Sequence, residues 1–579
     1  MSNEPDIPVG HDEPLKPTHS LPRYSEPTPE THRKVSREEE AELALKNTLY
    51  SSGTRIVLIL AFLLTILSVP AIQFASEMRS SGGSPRLGTF NLFKAYPSWE
   101  KIKAARSAHE LWRLLPRGSE LKAAEKEMET QSVVSEWFLP RVQWLLSEKL
   151  GAGNEQVYLG RDGWLFYRPD VDYITGPSFL DSAIALHREH AGVQPDPLKA
   201  ITDFRDQLRA RGIDLIVVPV PMKPGVDGER LSPRAPRESV FQNDSFSEFK
   251  KSLEEKSVRV FDPLPRLAAR KAASPDRSLY LRSDTHWRPE TMEFVAQELA
   301  QFVRPGAVPI AGDPLAQEIT GTGDIARMLK LPERQQVFPP EPVTIHPVSA
   351  KGGPWRASKA AEVLLLGDSF SNIYSLGALG WGESAGFAEH LSRVLAQPLD
   401  CILRNSDAAF ATREILSREL ARGHDRLAGK KLVIWQFATR ELAFGDWKLL
   451  KMQLGQPKPA NFFVPKSGET VTATATVQAV SNVPRPGTVP YRDHILALHL
   501  VDVLPADGGA KDSFESLVYL ESMRDNVLTP AARLAPGDRI TLSLRAWSDV
   551  SDKFEKINRS EIDDAAVQLE EPCWAELIQ

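Results

Sequence analysis

The chain has 579 residues, 42% hydrophobic and 25% charged, with a net charge of −6. That balance fits a globular protein of two or three domains and leaves no basic footprint for nucleic acid. Two cysteines, Cys401 and Cys573, are too few for a disulfide scaffold or a cysteine-ligated zinc site, and Cys401 sits in an apolar run as a buried thiol would.

Residues 1–54 are rich in Pro, Glu, Ser and Lys/Arg and lack periodic apolar positions, as a disordered tail does. From Ile56 to Phe74 the chain is uncharged and almost wholly apolar, about nineteen residues, which predicts a membrane-spanning helix over 55–75. Fifty-five residues precede that run, which argues against a cleaved signal peptide. Flanking charge leaves the orientation open, because Arg37, Lys46 and Arg55 face Arg79, Arg86 and Lys94. Residues 76–154 follow as a Ser/Gly-rich linker and a charged helical region. Its Trp137-Phe138 and Trp144-Leu145-Leu146 read as a face packed on the next domain.

Over 155–450 short apolar runs alternate with helical spacing. The strand candidates are Asp214–Val220, Val258–Asp262, Val363–Gly367, Asp400–Leu403 and Lys431–Phe437. Helical patterns cover Asp196–Arg211, 244–256, Arg288–Val303, 383–397 and 408–421. This alternation predicts an α/β domain with about five parallel strands covered on both faces. From 460 to 579 the alternation Thr470-Val-Thr-Ala-Thr-Ala-Thr-Val477 and later β-rich runs separated by Pro/Gly turns predict a small sandwich-like module. Trp547, Tyr491 and Tyr519 in it are core aromatics before they are stacking platforms.

The run Val363-Leu-Leu-Leu-Gly-Asp-Ser369 ends a buried strand in a tight turn and lifts a serine to the carboxyl edge of the sheet, where ligands gather in open α/β folds. A serine needs a base and an orienting acid. Ser283-Asp284-Thr285-His286-Trp287 offers both, and residues at i and i+2 of an extended segment project to one side. The expected constellation is Ser369 as nucleophile, His286 as base and Asp284 as orienting acid. The backbone N–H of Ser369 is the expected oxyanion donor. Arg440 and Lys223, each following a strand, and Tyr374, near the serine, are substrate-binding candidates at the same edge. His187 and His190 are spaced for a metal, but without a third ligand they read as a solvated face. Gly321-Thr-Gly-Asp324 reads as a surface turn. No metal or cofactor is expected.

Five blocks together carry a resemblance: Gly160-Arg-Asp-Gly-Trp-Leu-Phe-Tyr167, Val218-Pro-Val-Pro-Met-Lys223, Asp284-Thr-His286-Trp287, Gly367-Asp-Ser369-Phe370 and Val433-Ile-Trp-Gln-Phe-Ala-Thr-Arg440. From about Val157 to Trp447 the chain resembles the SGNH-hydrolase-like alginate O-acetyltransferases of AlgJ and AlgX type. The Asp-His pair precedes the serine, the circularly permuted order typical of that family. The asparagine block of ordinary SGNH esterases is not identifiable. The resemblance implies acetyl transfer to hydroxyls of an exported polysaccharide through an acetyl-enzyme. It further implies a membrane-bound O-acyltransferase as acetyl donor, and a chain held in the inner membrane with its tail in the cytoplasm and its bulk in the periplasm. In some members a carbohydrate-binding β-sandwich follows the catalytic domain, the place that 460–579 occupies here. An acetyl esterase with the same triad and a non-catalytic glycan-binding subunit of an export complex are the alternatives.

Overall fold

A computed structural model describes residues 51–80, 102, 103, 107 and 132–578, apart from 238, 308–314, 333, 351–352, 457–461, 488, 490, 507–513 and 565. The chain divides into two compact units, Met1–Val134 and Ser135–Gln579. In the first, helix α1 (Ser52–Ser80) contains a segment, Ser52–Ser76, of mean hydropathy 2.5. Among the described residues it is the one helix long and apolar enough to cross a membrane. The expected tail up to residue 50 and the linker beyond Ser80 lie outside the described residues.

Helix α2 (Val133–Lys149), which lies in the second unit from Ser135 onward, corrects one expectation. Trp137, Phe138 and Leu145 are about half exposed, and the helix buries Gln143 and Ser147 instead. The reason is polar: Gln143 donates to Ser147 Oγ and to the Gly153 carbonyl, so the hydrogen-bonding face turns inward.

The central sheet has the five parallel strands expected, β1 (Asp214–Val220), β2 (Arg259–Val260), β3 (Val363–Gly367), β4 (Asp400–Leu403) and β5 (Leu432–Ala438), in the order β4-β3-β5-β1-β2. Every residue of β3, β4 and β5 is buried, which is why, apart from Asp400 and Gln436, these strands read as apolar runs. The expected helices are present as α3 (Pro197–Arg209), α4 (Phe246–Glu255), α5 (Pro289–Val303), α6 (Phe387–Leu395) and α7 (Ala411–Ala421). In α5, Met292, Val295, Ala296, Leu299 and Ala300 form one buried stripe, and Pro289 pre-sets its first turn. That packing fixes the residues just before the helix, His286 among them.

The β-rich C-terminal module consists of β6 (Thr470–Val480), β7 (His494–Pro505), β8 (Phe514–Arg524), β9 (Arg539–Ala546) and β10 (Pro572–Leu577). They pair as β8-β10-β9-β6-β7, and β7 pairs back to β8, so the strands close into a small barrel rather than two stacked sheets. Leu496, Leu498, Leu500, Leu542 and Leu544 fill its interior. The module covers the edge strand β4. Arg404 donates to the carbonyls of Ile557 and Arg559, and Arg426 bridges Asp400 and Glu555.

Candidate active site

Strand β3 ends at Gly367, and Ser369–Asn372 forms a single helical turn capped by Asp368, whose Oδ1 accepts from Phe370 N at 2.9 Å. A Cβ on Gly367 would lie 2.6 Å from Ser371 Oγ, so glycine is required for the turn to close. Neighbouring β5 bolts the turn in place. Gln436 accepts from Asp368 N and Ser371 Oγ and donates to Asp368 Oδ1, while Ala438 N donates to Asp368 Oδ2 at 2.8 Å. Burial raises the Asp368 carboxyl above its ordinary value.

Asp284 and His286 are brought together on one side of an extended segment, with Nδ1 2.6 Å from Asp284 Oδ1. The carboxylate is saturated: Oδ1 also accepts His286 N at 3.1 Å, and Oδ2 accepts Asp324 N and Trp381 Nε1, both at 2.9 Å. Burial alone pushes this carboxyl up, but the imidazole and its hydrogen bond outweigh burial and hold Asp284 well below the ordinary range. Burial likewise pulls His286 down, and Asp284 overcomes it, so the imidazole is raised above 6.5. Its Nε2 is buried and has no protein partner. The imidazole lies 4.8 Å from the ring of Phe370, the residue after Ser369. Trp287 Nε1 donates to the Phe370 carbonyl at 3.2 Å, which ties the histidine segment to the serine turn.

Two residues of this arrangement are absent from the sequence expectations. Asp324 accepts from Thr285 N at 2.8 Å and Thr285 Oγ1 at 2.6 Å and so braces the Asp-Thr-His segment. Burial and the adjacent Asp284 raise its carboxyl. The expected surface turn 321–324 is therefore corrected: Gly321, Gly323 and Asp324 are buried. Gly323 lies so close that a Cβ would be 2.0 Å from the Ser283 carbonyl oxygen. Trp381 is the second, and it is fully buried. Ligand-type atoms of Asp284, His286 and Asp324 lie within 4.8 Å of one another. Their carboxylate oxygens already accept N–H and O–H donors that an ion would have to displace.

Of the three substrate-binding candidates, two are turned inward. Lys223 is fully buried, and its ammonium donates to the carbonyls of Leu165, Arg282 and Asp284 at 2.5, 2.8 and 3.0 Å. All three donors are used, so none is left for a substrate. Burial pulls its pKa to about 8, which keeps it charged at neutral pH. Tyr374 is also buried, with its hydroxyl donating to the Trp287 carbonyl at 2.6 Å. Arg440 is partly open at the carboxyl end of β5. It pairs with Asp170 at 2.9 Å and lies over the Tyr167 ring at 5.5 Å. His187 and His190 are exposed, as a solvated face requires.

Residues 157–439 match the family model described as "SGNH hydrolase-like domain, acetyltransferase AlgX". A probable alginate O-acetylase AlgJ from Pseudomonas putida is 30% identical over 233 residues, 38% of this chain and 56% of that protein. Its counterpart from Pseudomonas aeruginosa is 26% identical over 302 residues, 50% of this chain and 71% of that protein. The chain spans about half the length of the curated relatives it matches. Among solved structures, the O-acetyltransferase domain of Pseudomonas putida AlgJ aligns with a TM-score of 0.36 at 22% identity, covering 50% of this chain and 93% of that one.

Proposed function

Because residues 157–439 form an SGNH hydrolase-like domain of the AlgJ/AlgX acetyltransferase family, we propose that the chain transfers acetyl groups to hydroxyls of an exported polysaccharide, with Ser369, His286 and Asp284 as its catalytic triad. The observation that carries this reading is the 2.6 Å Asp284–His286 contact beside the serine turn; Nε2 makes no hydrogen bond to Ser369 Oγ in this structure, and the two close on each other when substrate binds. Asp284 holds the imidazole proton on Nδ1, so Nε2 is left as a base. As Ser369 Oγ bonds to the acetyl carbon, its proton passes to Nε2. The donor oxygen then leaves with that proton, and the Ser369 N–H stabilises the oxyanion. A sugar hydroxyl next gives its proton to Nε2 and takes the acetyl group as the Oγ–carbon bond breaks, and Nε2 returns that proton to Ser369 Oγ. Arg440, partly open on the same sheet edge, binds the acceptor.

Helix α1 anchors the chain in the inner membrane, residues 76–154 link it to the α/β domain at 155–450, and the bulk faces the periplasm. A membrane-bound O-acyltransferase supplies the acetyl group. The barrel at 460–579 sits beside the catalytic domain as a carbohydrate-binding module. Ser369→Ala tests the reading in detergent-solubilised full-length protein. Turnover of a chromogenic acetyl ester and acetylation of oligosaccharide should both fall to background, with the melting temperature unchanged. Undiminished acetylation would refute it. Free acetate as the sole product of the native protein, with oligosaccharide present, would establish an esterase.

A further inference from the structure

Helix α2 turns an apolar face to solvent. Its inner side carries the polar pair Gln143 and Ser147, and on the far side Phe138, Val142 and Leu145, at i, i+4 and i+7, form a stripe. Phe138 is 53% exposed, Val142 46% and Leu145 49%, and Trp137 and Leu139 widen the stripe. Half-exposed side chains of this size, set side by side, approach the about 300–600 Å² of the largest apolar patch on a typical monomer, and patches of that size mark contact sites.

The charges on the helix do not break the patch. Glu136 and Glu148 fall off the stripe by the helical period. The Arg141 guanidinium lies 4.2 Å from the Trp137 ring and the Lys149 ammonium 5.8 Å from the Trp144 ring. Tryptophan beside a long cationic side chain suits the headgroup level of a bilayer, where the ring takes the boundary and the cation reaches outward to phosphate. The place of the helix in the chain says which surface covers the patch. Helix α1 and the first residues of α2 belong to one compact unit, and Val133 N donates to Gln73 Oε1 at 2.8 Å. Gln73 lies three residues inside the end of the apolar segment Ser52–Ser76, about 4.5 Å along a helix from it. Helix α2 thus starts at the level where a membrane-spanning segment gives way to headgroups.

We propose that α2 is a second membrane contact, lying in the lipid interface with Phe138, Val142 and Leu145 turned to the acyl chains; this rests on the reading of α1 as an anchor. Full-length protein reconstituted in vesicles of phosphatidylethanolamine and phosphatidylglycerol tests it. Cys401 and Cys573 are buried, so one cysteine introduced at the surface takes a thiol-reactive fluorophore selectively. Phe138→Cys and Val142→Cys should each lose about half or more of their emission to lipids carrying a shallow nitroxide, and should be shielded from aqueous iodide. Leu186→Cys, exposed on the Ser182–His190 helix, should do the opposite. Leu64→Cys, in the middle of α1, reads the anchor separately through a nitroxide at the bilayer centre. Quenching at 64 without quenching at 138 and 142 overturns the proposal and leaves the anchor standing, and quenching at none of them overturns both. Shielding of 138 and 142 from iodide without lipid quenching means that protein, a second copy or another chain, covers the face, and that too overturns the proposal.

Discussion

Asp284→Asn probes the site most sharply, because no orientation of the amide satisfies the groups around it. The native carboxylate accepts four N–H donors, two on each oxygen. Asparagine has one acceptor oxygen and an NH2 that only donates. With the oxygen toward His286, the NH2 faces Asp324 N and Trp381 Nε1, two buried donors now without an acceptor, at about 1–3 kcal/mol each. Relief of the Asp284–Asp324 repulsion offsets part of that cost. With the amide reversed, Nδ1 must become an acceptor, the ring proton moves to Nε2, and the base is lost. Wrong-tautomer substitutions in serine enzymes cost about 10⁴-fold. We therefore expect kcat/KM for a chromogenic acetyl ester to drop by about three to four orders of magnitude, together with a lower melting temperature. A variant that keeps more than about a tenth of native kcat/KM and melts unchanged would refute both the hydrogen-bond count and the role given to the pair.

Three further outcomes follow from the same geometry. The base works only when neutral and its pKa is raised, so the acid limb of kcat/KM should lie above pH 6.5. The stability the raised imidazole contributes runs oppositely, full below the unfolded histidine value and lost as pH rises through the folded one, while that from the lowered Asp284 is lost on acidification; a limb at or below 6.5 contradicts the pairing. Gly323→Ala puts a Cβ where the Ser283 carbonyl lies and should destabilise by about 1–3 kcal/mol and reduce activity together, read by chemical denaturation beside ester turnover; an unchanged midpoint means the loop gives freely. Lys223→Met takes the ammonium from the buried Leu165 and Asp284 carbonyls, while the Arg282 carbonyl keeps the Leu165 N–H, at about 1–3 kcal/mol for each carbonyl stranded, and should speed hydrogen exchange at 282–286; unchanged exchange there would show that the ammonium holds nothing.

What could be read ahead of the fold was whatever is written locally. The sheet strands announce themselves because a parallel strand covered on both faces must be largely apolar, as β3 is and as β5 is apart from Gln436. Asp284 and His286 announce themselves because two residues of extended chain suffice to place them side by side. Asp324 and Trp381 bind the same carboxylate from 40 and 97 residues away, and no local pattern marks that convergence. One signal was present and misread. A glycine next to a free-looking aspartate suggests a surface turn, yet here the missing Cβ is what lets Gly323 press on the Ser283 carbonyl and deliver Asp324. Lys223 was misread for a related reason. A basic residue after a strand at the carboxyl edge looks open to ligands, but whether the side chain turns out or under depends on the 282–284 carbonyls that happen to lie below it. Barrel closure is of the same kind, since it depends on Leu517–Tyr519 meeting Pro572–Trp574 across the module. The residues hidden from sequence are thus those whose partners lie far along the chain, and a buried lysine, a buried aspartate and a bare glycine mark three places where distant segments meet around His286.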